Sequence, residues 1–407
     1  MEDPVMKVHA NTLDPAMPSP SDRAGALGAA MPMIPKLAYR NLFHDRLSLT
    51  VTLVGIVFSV VLVAVQFGLY LGSENRIAAM FDHVTADLWV VPYGTKSFDD
   101  PALLNGRERH PILSTPGVAG VQELAVGFVN WRKRGGGTTA ALLVGSDTTP
   151  VGSLPWDITQ GSTAALSAPS AVAVDDTYFG ELGIERTGDQ AEVNNTQVTV
   201  TAVTHGIRSF TTLPYVFTTL ATARTLLDAA PDQASYMLVR VAAGSDIEAV
   251  RAALAARLPD ADILTHHEFR KRSLDYWLFE TGAGAALIAG AILGIIVGIV
   301  IVAQTLYAST KDHLNEFATL RALGASARYI HKVILMQAIL SAAIGYVLGM
   351  MLSFVVIWAS SKTTLLIVMT PKLGLLLLVL TVGMCTLAAI CAIFKVTRID
   401  PAVVFSR

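Results

Sequence analysis

The residue types that could do chemistry are sparse in this sequence, and few have the spacing that catalysis or metal binding needs. No G-x-S-x-G or H-E-x-x-H pattern occurs, and the run His266, His267, Glu268 does not place two histidine ligands on one face of a helix. Cys385 and Cys391 lie about 120° apart around a helix. We therefore expect no catalytic site and no metal site, and we assign both cysteines to apolar packing.

Three other side chains have chemistry that suits iron. Tyr70, Met80 and His83 are residue types that ligate haem. Ordinary roles at a membrane interface and in a core explain the same residues more simply, so a haem or ligand site is the weaker interpretation. The chain also has no G-x-x-x-x-G-K-[ST] loop with which to hold the phosphates of ATP.

The composition explains why polar sites are few. Hydrophobic residues make up 52% of the 407 residues and charged residues 15%, a balance typical of a chain that meets lipid. The formal net charge of -2 offers no basic domain for nucleic acid. Uncharged runs long enough to cross a hydrocarbon core of about 30 Å are Leu49 to Leu71, Thr281 to Leu306, Val333 to Ser361 and Leu373 to Phe394. We predict an α-helical integral membrane protein with four transmembrane helices.

The long segment between the first two runs has a different pattern. Short alternating or β-branched runs predict a large α/β domain there. The predicted strands are Ala86 to Val91, Val121 to Trp131, Thr138 to Val144, Ala171 to Val174, Gln197 to Val203 and Met237 to Val241. Asp246 to Leu258 predicts a helix capped by Ser245, followed by a further strand, and Arg132 to Gly137 predicts a hairpin tip.

Lysine and arginine near the ends of the spans predict the orientation of the chain. They lie before the first span, between the second and third, and after the fourth: Lys36, Arg40, Arg46, Lys311, Arg321, Arg328, Lys332, Lys395, Arg398 and Arg407. The positive-inside rule then places both termini in the cytosol and the α/β domain outside it. Arg270, Lys271 and Arg272 stand just outside the second span, where they either contact lipid headgroups or form a solvated collar.

These features divide the chain into successive segments. Residues 1–34, rich in Pro, Met, Ala and Ser, predict a disordered cytosolic tail, most of which a start at Met31 or Met33 would remove. The other segments are an amphipathic helix with the first span (35–72), the extracytoplasmic α/β domain (73–280), the second span (281–306), a cytosolic segment (307–332), the third span (333–361), a short outer loop (362–372), the fourth span (373–394) and a cytosolic tail (395–407).

Small residues mark one side of the second span. Gly290, Gly294 and Gly298 recur every four residues, and Ala286 and Gly282 extend the row backwards. Such a row lets another helix backbone approach closely in lipid. With four spans in each chain, we predict a homodimer or a pair of related chains. No charged residue falls within a span, which argues against the buried ion relay of a proton-driven transporter.

The segment between the second and third spans carries side chains suited to a contact on the cytosolic side of the membrane. A helix from about Ser309 to Leu323 would end at Gly324 as a left-handed residue, and Ser326 would cap the next helix. Glu316 and Arg321 have no opposite charge three or four positions away. Together with apolar Phe317, Leu320 and Leu323, they fit either a groove in a soluble partner or the headgroups of the membrane.

Three stretches of this sequence resemble the FtsX/MacB-type permeases of ABC transporters. "EFATLRALGASARYI" is similar to the family's signature segment before the third span, and "KVTRIDPAVVF" is similar to its closing segment. "IPKLAYRNLFHDRLSLTVTLVGIVFSVVLV" resembles its amphipathic helix and first span. "ADLWVVP" and the lack of an attached nucleotide-binding domain are nearest to the DevC-like and haem-exporter-like branches. The resemblance implies a type VII fold with a MacB-like periplasmic core domain.

The resemblance also implies partners. Lys311 to Ala325 would form a coupling helix seated on a separate ATPase, which would bind ATP and Mg, so that this chain itself needs no cofactor. The residues assigned to that contact are Lys311, Glu316, Phe317, Leu320, Arg321, Leu323 and Gly324. Arg132, Lys133 and Arg134 at the hairpin tip are the candidate contact for a periplasmic adaptor leading to an outer-membrane channel.

Two functions follow for a multi-pass protein of the bacterial inner membrane. In the first, the chain is the permease of an efflux system that expels a hydrophobic or amphipathic compound. In the second, it resembles the cell-division branch of the family and transmits ATP hydrolysis to a partner such as a cell-wall hydrolase without transport. The large outer domain and the nearness to the export branches favour efflux.

Overall fold

The computed structural model describes residues 33–147, 154–313, 316, 319, 324–360 and 366–397. Within these residues, four helices are long and apolar enough to cross a membrane. The helices are α1 (Met33–His44), α2 (Arg46–Asp82), α3 (Arg109–Leu113), α4 (Phe179–Leu182), α5 (Leu220–Leu226), α6 (Ile247–Arg257), α7 (His266–Asp275), α8 (Ala283–Asp312), α9 (Ala327–Ser360) and α10 (Pro371–Thr397). The predicted architecture of four membrane helices, with an α/β domain between the first two, is confirmed.

The membrane helices continue beyond the predicted spans. The first span was predicted to end at Leu71, but α2 continues for three more turns to Asp82. The second was predicted to begin at Thr281, whereas α8 begins at Ala283 and continues to Asp312. A separate helix beginning at Ser309 is therefore wrong, because the chain from Ser309 to Asp312 is the last turn of α8.

Helices α2, α8, α9 and α10 share an apolar cluster. Its buried members come from all four helices and are small or aliphatic: Ile56, Val60, Val302, Leu306, Ile334, Ala338, Ala342, Met384, Cys385, Ala388, Ala389 and Ala392. Cys385 is therefore a packing residue, as predicted, whereas Cys391 is exposed. Helix α1 buries Ala38 and Leu42 and exposes Lys36, Arg40 and His44, so it is amphipathic.

The α/β domain is built on one ten-stranded sheet. The strands are β1 (Leu88–Pro92), β2 (Val118–Arg132), β3 (Thr138–Ser146), β4 (Ile158–Gln160), β5 (Ala171–Asp175), β6 (Gln190–Val193), β7 (Thr196–Thr204), β8 (Tyr215–Thr219), β9 (Tyr236–Val241) and β10 (Ala261–Thr265). Their order is β10-β1-β9-β2-β3-β8-β5-β7-β4, and β6 pairs with β2 and β7. The first and last strands are antiparallel neighbours, in register from Leu88 opposite Thr265 to Pro92 opposite Ala261.

The structure confirms every strand that the sequence predicted and adds three. The additions are β4, β6 and β8, for which no strand was predicted. The cap of α6 is Asp246, whose side chain accepts a hydrogen bond from the backbone N–H of Glu248, and not the predicted Ser245. Both residue types cap helices well, so the sequence alone does not choose between neighbours.

Candidate functional site

The candidate coupling segment begins where α8 ends. Lys311 is exposed in the last turn of α8, and Glu316 is helical with 61% of its side chain exposed. Oε2 of Glu316 lies 3.2 Å from Nδ1 of His313, three residues before it. His313 lies in a turn after α8, and it can form an ion pair with Glu316 when its imidazole ring is protonated.

The second half of the segment sets the start of α9. Gly324 has a φ of +98°, a backbone conformation that side chains other than glycine rarely adopt. Oγ of Ser326 accepts a hydrogen bond from the backbone N–H of Tyr329 at 3.3 Å, which confirms the predicted cap. Phe317, Leu320, Arg321 and Leu323 lie outside the described residues. Their contact with an ATPase stays a prediction.

The glycines of α8 were predicted to let another helix approach closely, and the helix that does so is α2 of the same chain. A β-carbon on Gly290 would lie 2.5 Å from Nε2 of Gln66. One turn further on, a β-carbon on Gly294 would lie 3.0 Å from Cδ2 of Leu62, and one on Gly298 would collide with Ser59. A β-carbon at any of these positions would force a side chain of α2 to shift, so the glycines allow α8 to lie close to α2.

The predicted backward extension of this row makes no close helix contact within the described part of the chain, and its packing on a second chain stays a prediction. Gly282 precedes α8, has a φ of +80° and would leave open space around a β-carbon. Ala286 is exposed. The residue that does pack closely there is Gly284, where a β-carbon would lie 2.6 Å from the carbonyl oxygen of Leu278.

Helix α9 uses glycines in the same way on α2. A β-carbon on Gly345 would lie 2.8 Å from Cβ of Ile56, and one on Gly349 would lie 2.8 Å from Cβ of Val60. These residues repeat the four-residue spacing of α8. Helix α2 therefore packs against the glycines of α8 on one side and those of α9 on the other. A sideways movement of α2 would displace α8 or α9.

The loop before α10 packs against a third pair of small residues, Gly68 and Gly72. The backbone N–H of Val368 donates a 3.0 Å hydrogen bond to the carbonyl oxygen of Gly68, and the carbonyl of Leu366 lies directly over Gly72. The sequence shows the spacing of Gly68 and Gly72, but it gives no sign that a loop almost 300 residues later occupies them. This loop contact is the functional feature that sequence reasoning missed.

The candidate adaptor contact forms the predicted hairpin tip between β2 and β3. The backbone N–H of Lys133 donates to the carbonyl oxygen of Gly137 at 3.0 Å and closes the turn. Arg132 pairs with Glu192 at 3.3 Å, and Lys133 is half-buried against Gly183. Arg134 at the tip is exposed, as is Arg132.

The structure does not bring the three haem candidates together. Met80 is 1% exposed and packs in the core of the α/β domain. The imidazole ring of His83 stacks on Trp156 with 4.0 Å between centroids, and its Nδ1 donates to the carbonyl oxygen of Ala79. Tyr70 lies ten residues before Met80, which is about 15 Å along a helix. One iron cannot bind all three.

The basic run before the second span is largely paired. Nε of Arg270 lies 3.4 Å from Oδ1 of Asp82, and Nη1 of Arg272 lies 2.6 Å from Oδ2 of Asp262. Lys271 alone is exposed. The two arginines therefore brace the base of the domain, and they are less available to lipid headgroups than the sequence pattern indicates.

The arrangement defines a class of protein: a permease-like membrane subunit in which four packed helices carry an inserted α/β domain. Residues 49–257 match the family model of the MacB-like periplasmic core domain, and residues 288–401 match that of the FtsX-like permease C-terminal region. The chain belongs to the FtsX/MacB-type permeases of ABC transporters. It is a multi-pass protein of the inner membrane. Members of this family are the permease components of ABC transporters, and the ATPase is a different component.

Solved structures of low identity resemble part of the chain. The extracellular domain of the noncanonical ABC-type transporter YknZ from Gram-positive bacteria is 15% identical, with a TM-score of 0.33, and the match covers 44% of this chain and 99% of that one. The periplasmic region of MacB from Actinobacillus actinomycetemcomitans is 11% identical, also with a TM-score of 0.33, over 48% of this chain and 96% of that one. No curated protein matches the sequence.

Proposed function

We propose that this permease exports a hydrophobic or amphipathic compound, and that ATP hydrolysis in a separate subunit moves the α/β domain mechanically. The observation that supports this most is the continuity of α2. Its residues Ile56 and Val60 pack among the membrane helices, and Met80 and Phe81 in its last turns pack in the core of the α/β domain. A rigid helix with side chains in two cores can carry a displacement from one end to the other.

The coupling segment is proposed to receive the force. The ATPase, with ATP and Mg bound, would contact the stretch from Lys311 to Gly324, with Glu316 and Arg321 as polar contacts and Phe317 as an apolar one. The continuity of α8 up to Asp312 supports this role, because a helix end pushed by a partner moves the helix as a whole.

The assembly we propose contains two permease chains with both termini in the cytosol. An exposed stripe on α8 supports a second chain as neighbour, since Ile292, Ile296 and Val300 recur every four residues and face away from α2. In an efflux complex, the hairpin tip at Arg134 would meet a periplasmic adaptor that leads to an outer-membrane channel.

The test uses the full chain in lipid nanodiscs with its cognate ATPase. ATP hydrolysis is measured for the wild type, for Glu316→Arg and for the control Glu185→Arg, which changes an exposed glutamate of the α/β domain. The panel contains amphipathic compounds and haem. We expect compound-stimulated hydrolysis for the wild type and the control, and loss of both stimulation and ATPase binding for Glu316→Arg.

Two results would count against the proposal. If Glu316→Arg binds the ATPase and responds as the wild type does, the coupling segment is wrongly assigned. If hydrolysis ignores every compound, while deletion of the gene alters septation or cell-wall hydrolysis, the chain is a signal transducer and not an exporter.

A further inference from the structure

Unpaired hydrogen-bond donors collect near the base of the α/β domain. Nε and Nη2 of Arg76, in the extension of α2, are buried without a hydrogen-bond partner. Nε1 of Trp277, in the short π-helix Tyr276–Glu280 after α7, is also buried and unpaired. A guanidinium taken out of water without a partner loses free energy that an anion can restore. These donors are therefore suited to an acceptor from outside the chain.

A second arginine adds positive charge at the same place. Arg76 and Arg208, which follows β7, act electrostatically on each other and on the buried hydroxyl of Tyr178. Burial raises the pKa of Tyr178, whereas the two arginines and a backbone hydrogen bond from Ser209 lower it. The positive charge of Arg208 therefore adds to that of Arg76 in attracting an anionic group.

Ring contacts connect Arg208 with Trp277. Phe210, two residues after Arg208, packs on the indole of Trp277 with 5.3 Å between ring centroids. The ion pair of Arg270 with Asp82 holds α7 beside the end of α2. The loop that carries Arg208 and Phe210 therefore reaches from Arg76 to Trp277, and the unpaired donors belong to one region of the domain.

Arg76 and Trp277 lie next to predicted membrane spans in the sequence. Arg76 is five residues beyond Leu71, where the predicted first span ends, which is about 7.5 Å along a helix. Trp277 shortly precedes α8 and the second span. Tryptophan at such positions lies at the level of lipid headgroups, where an indole N–H meets phosphate and ester oxygens.

We propose that Arg76, Arg208 and Trp277 bind the phosphate ester of an anionic lipid. The fork of a guanidinium matches two phosphate oxygens, and the indole N–H can donate to a third acceptor. The lipid would fix the end of α2 against the loop after β7. This inference goes beyond the proposed export and does not depend on which compound is moved.

The experiment measures thermal unfolding of the full chain in a neutral maltoside detergent. The probes are dioctanoyl phosphatidylglycerol, dioctanoyl phosphatidylcholine and inorganic phosphate. We expect phosphatidylglycerol to raise the Tm in a saturable manner, and the neutral lipid and free phosphate to have little effect. Arg76→Gln should weaken the apparent affinity about tenfold or more, since it removes a charge-assisted contact. The control Lys271→Gln changes the nearby exposed cation and should bind as the wild type does.

The variant also tests folding without lipid. Arg76→Gln removes an unpaired buried charge, so its Tm in the absence of lipid should equal or exceed that of the wild type, and a lost response is then not a folding defect. An equal response to phosphatidylcholine, an unchanged affinity in Arg76→Gln, or an equal effect of inorganic phosphate alone would each overturn the lipid site.

Discussion

The hydroxyl of Tyr215 donates a 2.6 Å hydrogen bond to Oδ1 of Asp99 inside the α/β domain. Burial raises the pKa of Asp99 to about 6, and the hydrogen bond from Tyr215 offsets part of that rise. The ordinary value of 3.8 applies to the unfolded chain. The folded protein therefore holds a proton at Asp99 that the unfolded chain releases between about pH 4 and pH 6.

Asp99→Asn should stabilise the protein at neutral pH. The contribution of Asp99 to the free energy of unfolding is most favourable below its unfolded pKa and is lost as the pH rises through its folded pKa. At about pH 7.5 the ionised carboxylate therefore lowers the free energy of unfolding by on the order of 3 kcal/mol. Asparagine keeps an acceptor for Tyr215 and cannot ionise. Denaturant unfolding of the full chain should show a gain at about pH 7.5 that shrinks towards pH 4, whereas a gain independent of pH would contradict the assignment.

Two buried tryptophans form a matched pair for measuring one hydrogen bond. Nε1 of Trp131 donates to the carbonyl oxygen of Leu182 at 2.9 Å, whereas Nε1 of Trp89 is buried without an acceptor. Both side chains are fully buried. Trp131→Phe should therefore cost about 1–3 kcal/mol more than Trp89→Phe in the free energy of unfolding, because it leaves a buried carbonyl unpaired. Equal costs would show that packing alone decides.

Glycines in the membrane helices should differ in their tolerance of a methyl group. Gly345→Ala places a β-carbon against Ile56 and should lower the Tm of the full chain in nanodiscs, because two helices must separate. Gly383→Ala, in the exposed face of α10, meets no atom within 4 Å and serves as the control. It should leave the Tm unchanged or raise it slightly, since alanine favours a helix over glycine.

The loop before α10 should be released by a small change in α2. Gly72→Ala drives a β-carbon into the carbonyl of Leu366, so the bond from the N–H of Val368 to Gly68 should open more often. Hydrogen exchange at Val368 should then accelerate in the variant. Gly180→Ala, at an exposed glycine with open space around it, controls for glycine replacement and should leave that exchange rate as it is.

The sequence predicts features that depend on a long run or a regular period. The four spans are long uncharged runs, and the first part of β7 alternates between buried and partly buried residues. Strand β8, from Tyr215 to Thr219, was missed because its first four residues are all buried and show no alternation. A run this short does not distinguish a buried strand from a helix. Strand β6 is too short and polar to show a period.

Sequence patterns do not predict contacts between segments that lie far apart in the chain. Arg76 follows the first predicted span, and nothing in the sequence indicates that two nitrogens of its side chain are buried without a hydrogen-bond partner. In the candidate coupling segment, the motif and the cap at Ser326 are evident, but the pairing of Glu316 with His313 was missed because histidine was not counted as a cation. The proposed contacts of the segment with an ATPase involve a second chain, which the sequence of this chain does not describe.

The pairing of β1 with β10 bears on how such proteins diversify. Leu88 and Thr265 face each other in this ladder, so the chain enters and leaves the sheet at neighbouring points about 5 Å apart. A domain whose two ends lie close together can be inserted between consecutive helices without moving those helices apart, which is why close termini favour domain insertion. Recombination can therefore exchange the α/β domain of such a permease while its membrane helices are inherited unchanged.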